Sequence, residues 1–142
     1  MVKRIGVVGS GTMGGAIAHQ AAMCGFEVVL NDLTEEFLQS AVNRMEKLMD
    51  RSIEKGKMDV SEKEIVLSRI KRTTKLEDLK DCDVVIEAII EDLEAKKEMF
   101  VKLDEIVKDE AIIASNTSSM SITTLASVTK RPSQVAGMHF FN

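Results

Sequence analysis

Apolar residues along this chain come in two patterns that alternate from end to end. Residues 5–8, 28–30, 84–90, 111–114 and 135–138 are apolar at every position or nearly so. Runs this short and continuous predict strands buried on both faces, as in a parallel sheet covered by helices. Between them the spacing turns helical. Met13, Ala16, Ile17, Ala21 and Cys24 share one helical stripe, and Gly25 stands where a helix stops. Residues 34–55 form a long, charged helical stretch closed by Gly56, and Met99, Phe100, Leu103, Ile106 and Val107 mark another helix. Ser61 followed by Glu64 matches a capping box and predicts a short helix over residues 61–69. Strand and helix alternate, so the expected fold is α/β, a doubly wound parallel sheet. No repeat, low-complexity tract or linker divides it.

At 142 residues with 44% apolar and 30% charged content, the chain is expected to be one domain with a core that needs no metal or disulfide. Acidic residues number 23 against 19 basic ones, a net charge of −4, which argues against nucleic acid as a partner. No apolar run approaches the ~20 residues of a membrane span. The start, basic at Lys3 and Arg4, leads into a strand and not into a signal peptide's long apolar region. Cys24 and Cys82 lie far apart, form no C-x-x-C and read as two buried thiols in a reducing compartment. The expectation is a cytoplasmic domain without a metal site. The last residues, Gly137-Met138-His139-Phe140-Phe141-Asn142, follow directly on a strand-like run and hold two of the five phenylalanines. Such an end is expected of a piece of a longer protein.

The strongest local motif is Gly9-Ser10-Gly11-Thr12-Met13-Gly14, a G-x-G-x-x-G placed between the first apolar run and the first helix. Each glycine answers a separate need. Gly9 permits the tight turn, Gly11 lets the backbone approach a pyrophosphate, and Gly14 allows close helix–strand packing. The N–H groups that open the helix then hold the anion, aided by the positive end of its dipole. Asp32 follows the second apolar run, where a carboxylate takes the ribose hydroxyls of an adenosine. Its charge would repel a 2′-phosphate, and no arginine follows in residues 33–35, so NAD is expected over NADP.

Other charged residues interrupt apolar patterns. Glu87 lies within the run 84–90 and needs a partner or a place near the strand end. Glu91 follows that run at the edge where doubly wound sheets bind ligands, though it also reads as decoration of the next helix. Lys96 extends the stripe of Met99, Phe100 and Leu103; it either reaches a helix end or ligand, or snorkels to water. His19 is expected at the surface. Residues 114–119, Ala114-Ser115-Asn116-Thr117-Ser118-Ser119, again follow a strand. A turn capping a helix near Ser121 explains one or two of the hydroxyls but not five polar residues in succession. His139 ends the next strand. A serine donor, a histidine that exchanges a proton near pH 7 and a nicotinamide would together suit hydride transfer at a secondary alcohol.

These motifs carry a resemblance. The residues 8–14, 84–88, 114–119 and 137–142 make the chain look like the amino-terminal, NAD-binding Rossmann domain of the 3-hydroxyacyl-CoA dehydrogenases. The resemblance implies an oxidoreductase that interconverts 3-hydroxyacyl-CoA and 3-oxoacyl-CoA in fatty acid and butanoate metabolism, with 3-hydroxybutyryl-CoA as the expected substrate. It assigns Ser118 a hydrogen bond to the substrate's 3-oxygen and makes His139 the general acid/base. Gly9, Gly11, Thr12, Met13, Gly14, Asp32, Glu91, Lys96, Ser118 and Asn142 match cofactor contacts, and Asn116 falls in the nicotinamide loop. Arg51 and Lys55 would meet the phosphates of CoA. The family also carries a glutamate that orients the histidine and a helical carboxyl-terminal domain with the dimer contacts. Neither is in this chain, so the 142 residues alone are expected to be inactive. Alternatives are a dinucleotide-binding module without catalysis, a non-catalytic relative of the crystallin kind, and a related β-hydroxyacid dehydrogenase.

Overall fold

The computed structural model describes residues 1–141. Six strands, β1 (Arg4–Val8), β2 (Glu27–Asn31), β3 (Ile70–Thr73), β4 (Val84–Glu87), β5 (Ile112–Ser115) and β6 (Val135–Gly137), form one sheet in the order β3-β2-β1-β4-β5-β6. Every pairing is parallel. The helices are α1 (Thr12–Met23), α2 (Glu35–Glu54), α3 (Val60–Ser68), α4 (Leu93–Ile106) and α5 (Ile122–Ser127). This is the Rossmann arrangement, and its strand order reverses between β1 and β4, where a crevice opens at the strands' carboxyl ends.

Successive strand residues point to opposite faces, and the two cores follow that alternation. Val7, Val28, Leu30 and Ile86 pack on one side with Ile17, Leu38 and Met45 of α1 and α2. Val8, Val29, Val85 and Ile113 pack on the other with Phe100, Leu103 and Leu125 of α4 and α5. Register aligns the strand ends: Val8 lies opposite both Asn31 and Glu87, and Glu87 lies opposite Ser115. All polar chemistry at those ends therefore shares one edge. Arg131 closes the end of α4, donating to the carbonyl oxygens of Asp104 and Lys108 and to the Asp104 carboxylate at 2.6 Å.

Several expectations need correction. β3 is an edge strand with Lys71 and Arg72 exposed, so it carries no apolar run to announce it. β4 ends at Glu87, and residues 88–90 belong to the crevice loop. α3 begins at Val60 with Asp59 at its N-cap. Ser61 thus lies inside the helix, and the capping box does not form. The buried face of α1 runs through Gly14, Gly15, Ile17, Ala18, Ala21 and Ala22, leaving Ala16 exposed. Gly25 and Gly56 do end their helices, at φ +97° and +71°. Cys82 is buried, and burial pushes its thiol up to about 12; Cys24, at the C-cap of α1, is exposed. His19 is half-buried, its Nε2 enclosed without a partner among the described residues, and burial holds its pKa below the usual value. No helix among the described residues is long and apolar enough to cross a membrane.

Candidate dinucleotide and catalytic site

The chain leaves β1 at Val8 and turns at Gly9, whose φ of +98° favours glycine. A Cβ at Gly9 would also stand 2.6 Å from the carbonyl oxygen of Ala88, and one at Gly14 would stand 1.8 Å from that of Gly9. Among the described residues nothing lies within 4 Å of the corresponding position at Gly11. Two glycines are therefore required by the fold, and the third faces open space. Gly11 is the N-cap of α1, and among the described residues no side chain caps that helix, so the amides at Thr12 and Met13 open the helix without a side-chain acceptor. A cleft of about 540 Å³ adjoins this turn, walled by Leu33, Phe37, Ile89, Ile90 and Met99 and rimmed by Asp32 and Arg44. Apolar walls suit a base, an uncapped helix start suits a pyrophosphate, and Asp32 supplies a carboxylate beside both.

Asp32 is tied to the turn itself. Its Oδ2 accepts from the amide and the hydroxyl of Ser10 at 2.8 and 2.5 Å, and its Oδ1 accepts from Leu33 N at 2.7 Å. A carboxylate has about four acceptor positions, so these bonds fix its direction without using it up. The Arg44 guanidinium donates to Ser10 O at 2.7 Å, anchoring the same turn to α2. Ser10 and Arg44 gave no signal of their own in the sequence. One is the variable position of the motif, and the other sits in a helix charged on most faces.

On the far side of the crevice Glu87 and Lys96 are both 0% exposed and form an ion pair of 2.5 Å. Glu87 also accepts from Ser115 Oγ at 2.6 Å and from Ile89 N at 2.8 Å. Lys96 neither snorkels nor stands alone: it is the partner Glu87 requires. Its Nζ reaches Glu91 Oε1 at 3.1 Å as well. Glu91 Oε2 accepts from the hydroxyls of Thr117 and Ser119 at 2.7 and 3.1 Å. Burial pulls the Glu91 carboxyl up, but Thr117, Lys96 and Ser119 together outweigh it and leave its pKa below the ordinary value. The helix decoration expected beside Glu91 is carried by Asp92, which caps α4 through Ala95 N.

The five polar residues after Ala114 now separate by what each one holds. Ser115 serves Glu87; Thr117 and Ser119 serve Glu91; Asn116 Oδ1 accepts from Phe140 N at 2.9 Å. Ser118 is exposed, and its hydroxyl has no hydrogen-bond partner among the described residues. Ser121 caps α5 as expected, accepting from Thr124 N. His139 is exposed and its Nδ1 lies 3.1 Å from Asn116 O. A carbonyl only accepts, so that nitrogen carries the proton and Nε2 of the neutral ring is free to take another. The Phe141 ring meets the imidazole edge-on at 4.5 Å.

Two candidates lie elsewhere. Arg51 and Lys55 are exposed at the far end of α2, about 24 and about 30 Å along its axis from Glu35 at 1.5 Å per residue. The structure does not bring them to the crevice. Asn142 lies outside the described residues.

Sheet, glycine turn and polar strand edge together define a dinucleotide-binding domain of the Rossmann class. The family is 3-hydroxyacyl-CoA dehydrogenase: the model of its NAD binding domain matches residues 4–142, and the chain belongs to it. NAD is the cofactor of that domain. The 3-hydroxybutyryl-CoA dehydrogenases of Clostridioides difficile and Bradyrhizobium diazoefficiens are each 45% identical to it, over 98% and 100% of this chain and 50% and 48% of theirs. The crystal structure of (S)-3-hydroxybutyryl-CoA dehydrogenase from Ralstonia eutropha superposes with a TM-score of 0.97 at 44% identity, over all of this chain and 50% of that one. The chain spans about half the length of the relatives it matches.

Proposed function

We propose that this chain is the NAD-binding part of an enzyme that interconverts 3-hydroxybutyryl-CoA and acetoacetyl-CoA, with His139 as general acid/base and Ser118 as a hydrogen-bond donor to the reacting oxygen. The three relatives named above carry 3-hydroxybutyryl-CoA dehydrogenase in their names, and the motifs that match the family here include both residues. The observation that carries the reading is the His139 contact: with Nδ1 held by Asn116 O, Nε2 is the nitrogen left to accept the 3-hydroxyl proton. Ser118 has a hydroxyl to give because its neighbours satisfy one another. NAD, when bound, supplies the hydride acceptor. The residues suited to hold it are the amides at Gly11, Thr12, Met13 and Gly14 for its pyrophosphate and Asp32 for its adenosine ribose. Glu91, Lys96, Asn116, Ser118 and Asn142 are proposed contacts at the nicotinamide end. In this reading Asp32 also selects NAD by repelling a 2′-phosphate. Arg51 and Lys55 are proposed contacts for CoA phosphates. That role requires the substrate's nucleotide end to extend well beyond the crevice. A second half like that of the relatives would close the substrate cleft, pair the protein into a homo-oligomer and orient His139.

The test is NADH oxidation with acetoacetyl-CoA by the full-length protein and by its His139→Gln form. Turnover should fall by about 10²–10⁴-fold, the range of general acid–base catalysis, with NADH affinity unchanged. Ser118→Ala should cost less. Full activity in His139→Gln would remove the proposed role.

A further inference from the structure

We infer that Glu87 is a positioning residue, a buried anion that sets the place of both the Lys96 ammonium and the Asn116–Ser118 loop; the inference rests on the reading just proposed. Glu87 ends β4 at the switch-point edge and is wholly enclosed. An isolated carboxylate there would be costly, yet its two oxygens are shared among three elements. Oε2 takes Lys96 Nζ from α4 and Ile89 N from the crevice wall. Oε1 takes the Ser115 hydroxyl from the end of β5. That hydroxyl accepts in turn from Thr117 N at 3.2 Å, so Glu87 reaches the loop through one intermediate atom.

A second route runs from Lys96 through Glu91 to the hydroxyls of Thr117 and Ser119. Glu91 is the weaker holder, since its side chain is 52% exposed. The charged groups facing Lys96 are Glu87 from β4 and Glu91 from the following loop; its other polar contact, Ile89 O at 3.3 Å, is uncharged. Removing the buried member leaves a buried ammonium facing one half-exposed carboxylate, and burial then favours loss of its proton. The side chain would give up its charge, and the Ser115 hydroxyl would lose the anion that orients it to accept from Thr117 N.

The experiment uses Glu87→Gln in the full-length protein, which keeps the volume and removes the charge. NADH affinity is measured by calorimetry from pH 6.5 to 9.0, and amide hydrogen exchange is followed without nucleotide. We expect affinity at least tenfold weaker than wild type at neutral pH and weaker still as pH rises, while wild type stays nearly flat. The amides of Thr117, Ser119 and Met120 should exchange at least tenfold faster, with those of β1 and β2 unchanged. Affinity and exchange within twofold of wild type would overturn the inference. So would a loss of affinity equal at every pH with faster exchange throughout the sheet, the mark of a general packing defect. Should Glu87→Gln not fold, Ser115→Ala decides: it deletes one hydroxyl, and an unchanged Thr117 exchange rate would overturn the inference. Wild-type protein that binds NADH but ignores acetoacetyl-CoA would defeat the proposed function while leaving this test intact.

Discussion

At the β1–β2 end of the crevice the turn, the helix start and the carboxylate are bound to one another. Asp32 holds Ser10, Arg44 holds the same residue from behind, and Gly9 and Gly14 admit no side chain. At the β5–β6 end, by contrast, the residues proposed to react are the ones least held. Ser118 and His139 are exposed, the imidazole has a single polar contact among the described residues, and Phe141 is 85% exposed. Beneath that loose surface lies the most tightly enclosed charge pair of the chain's described part, Glu87 with Lys96. The first region is a turn braced by its own hydrogen bonds. The second is a rigid floor carrying groups that point outward.

The contrast can be broken from either side. The largest effect is expected in the floor. Lys96→Met leaves Glu87 buried without its counter-charge, and breaking such a pair costs about 3–5 kcal/mol; chemical denaturation of the 142-residue chain measures it. A lysine merely snorkelling to water would give stability that holds or rises, and that outcome would place the pair in water after all. Next is Asp32→Ser in the turn, which should narrow the preference for NADH over NADPH by about 1–3 kcal/mol, through loss of a charge-assisted bond and relief of repulsion. Parallel titrations with the two nucleotides read the difference. The smallest is Gly11→Ala. Its Cβ meets no protein atom within 4 Å, so the melting temperature should stay within a degree or two. NADH affinity should nevertheless drop roughly tenfold, about 1.4 kcal/mol, because the methyl occupies the approach to the helix amides.

The same division explains what could be read before the structure. The turn was legible because strand, glycines, helix and Asp32 are consecutive in sequence, and each residue type answers a local demand. β3 was not, because an edge strand with Lys71 and Arg72 outward needs no apolar run. Glu87 and Lys96 each stood out as charge inside an apolar pattern. Their pairing did not, since it depends on how α4 docks against β4. Cys24 and Ala16 share an apolar spacing with Ile17 and Ala21 but lie outside the buried face of α1, which runs through Gly14, Gly15, Ala18 and Ala22 as well. Arg51 and Lys55 followed from resemblance alone, and the helix rise carries them away from the crevice. The tautomer of His139 could not have been read from sequence, because it rests on the carbonyl of a residue in another loop.

The proposal that the β1–β2 turn and Asp32 hold the pyrophosphate and adenosine of NAD is tested most directly by calorimetric titration of the 142-residue chain with NADH and with NADPH. The account predicts one NADH bound per chain, with NADPH at least tenfold weaker. Absence of NADH binding to a folded chain, or equal affinity for the two nucleotides, would contradict it.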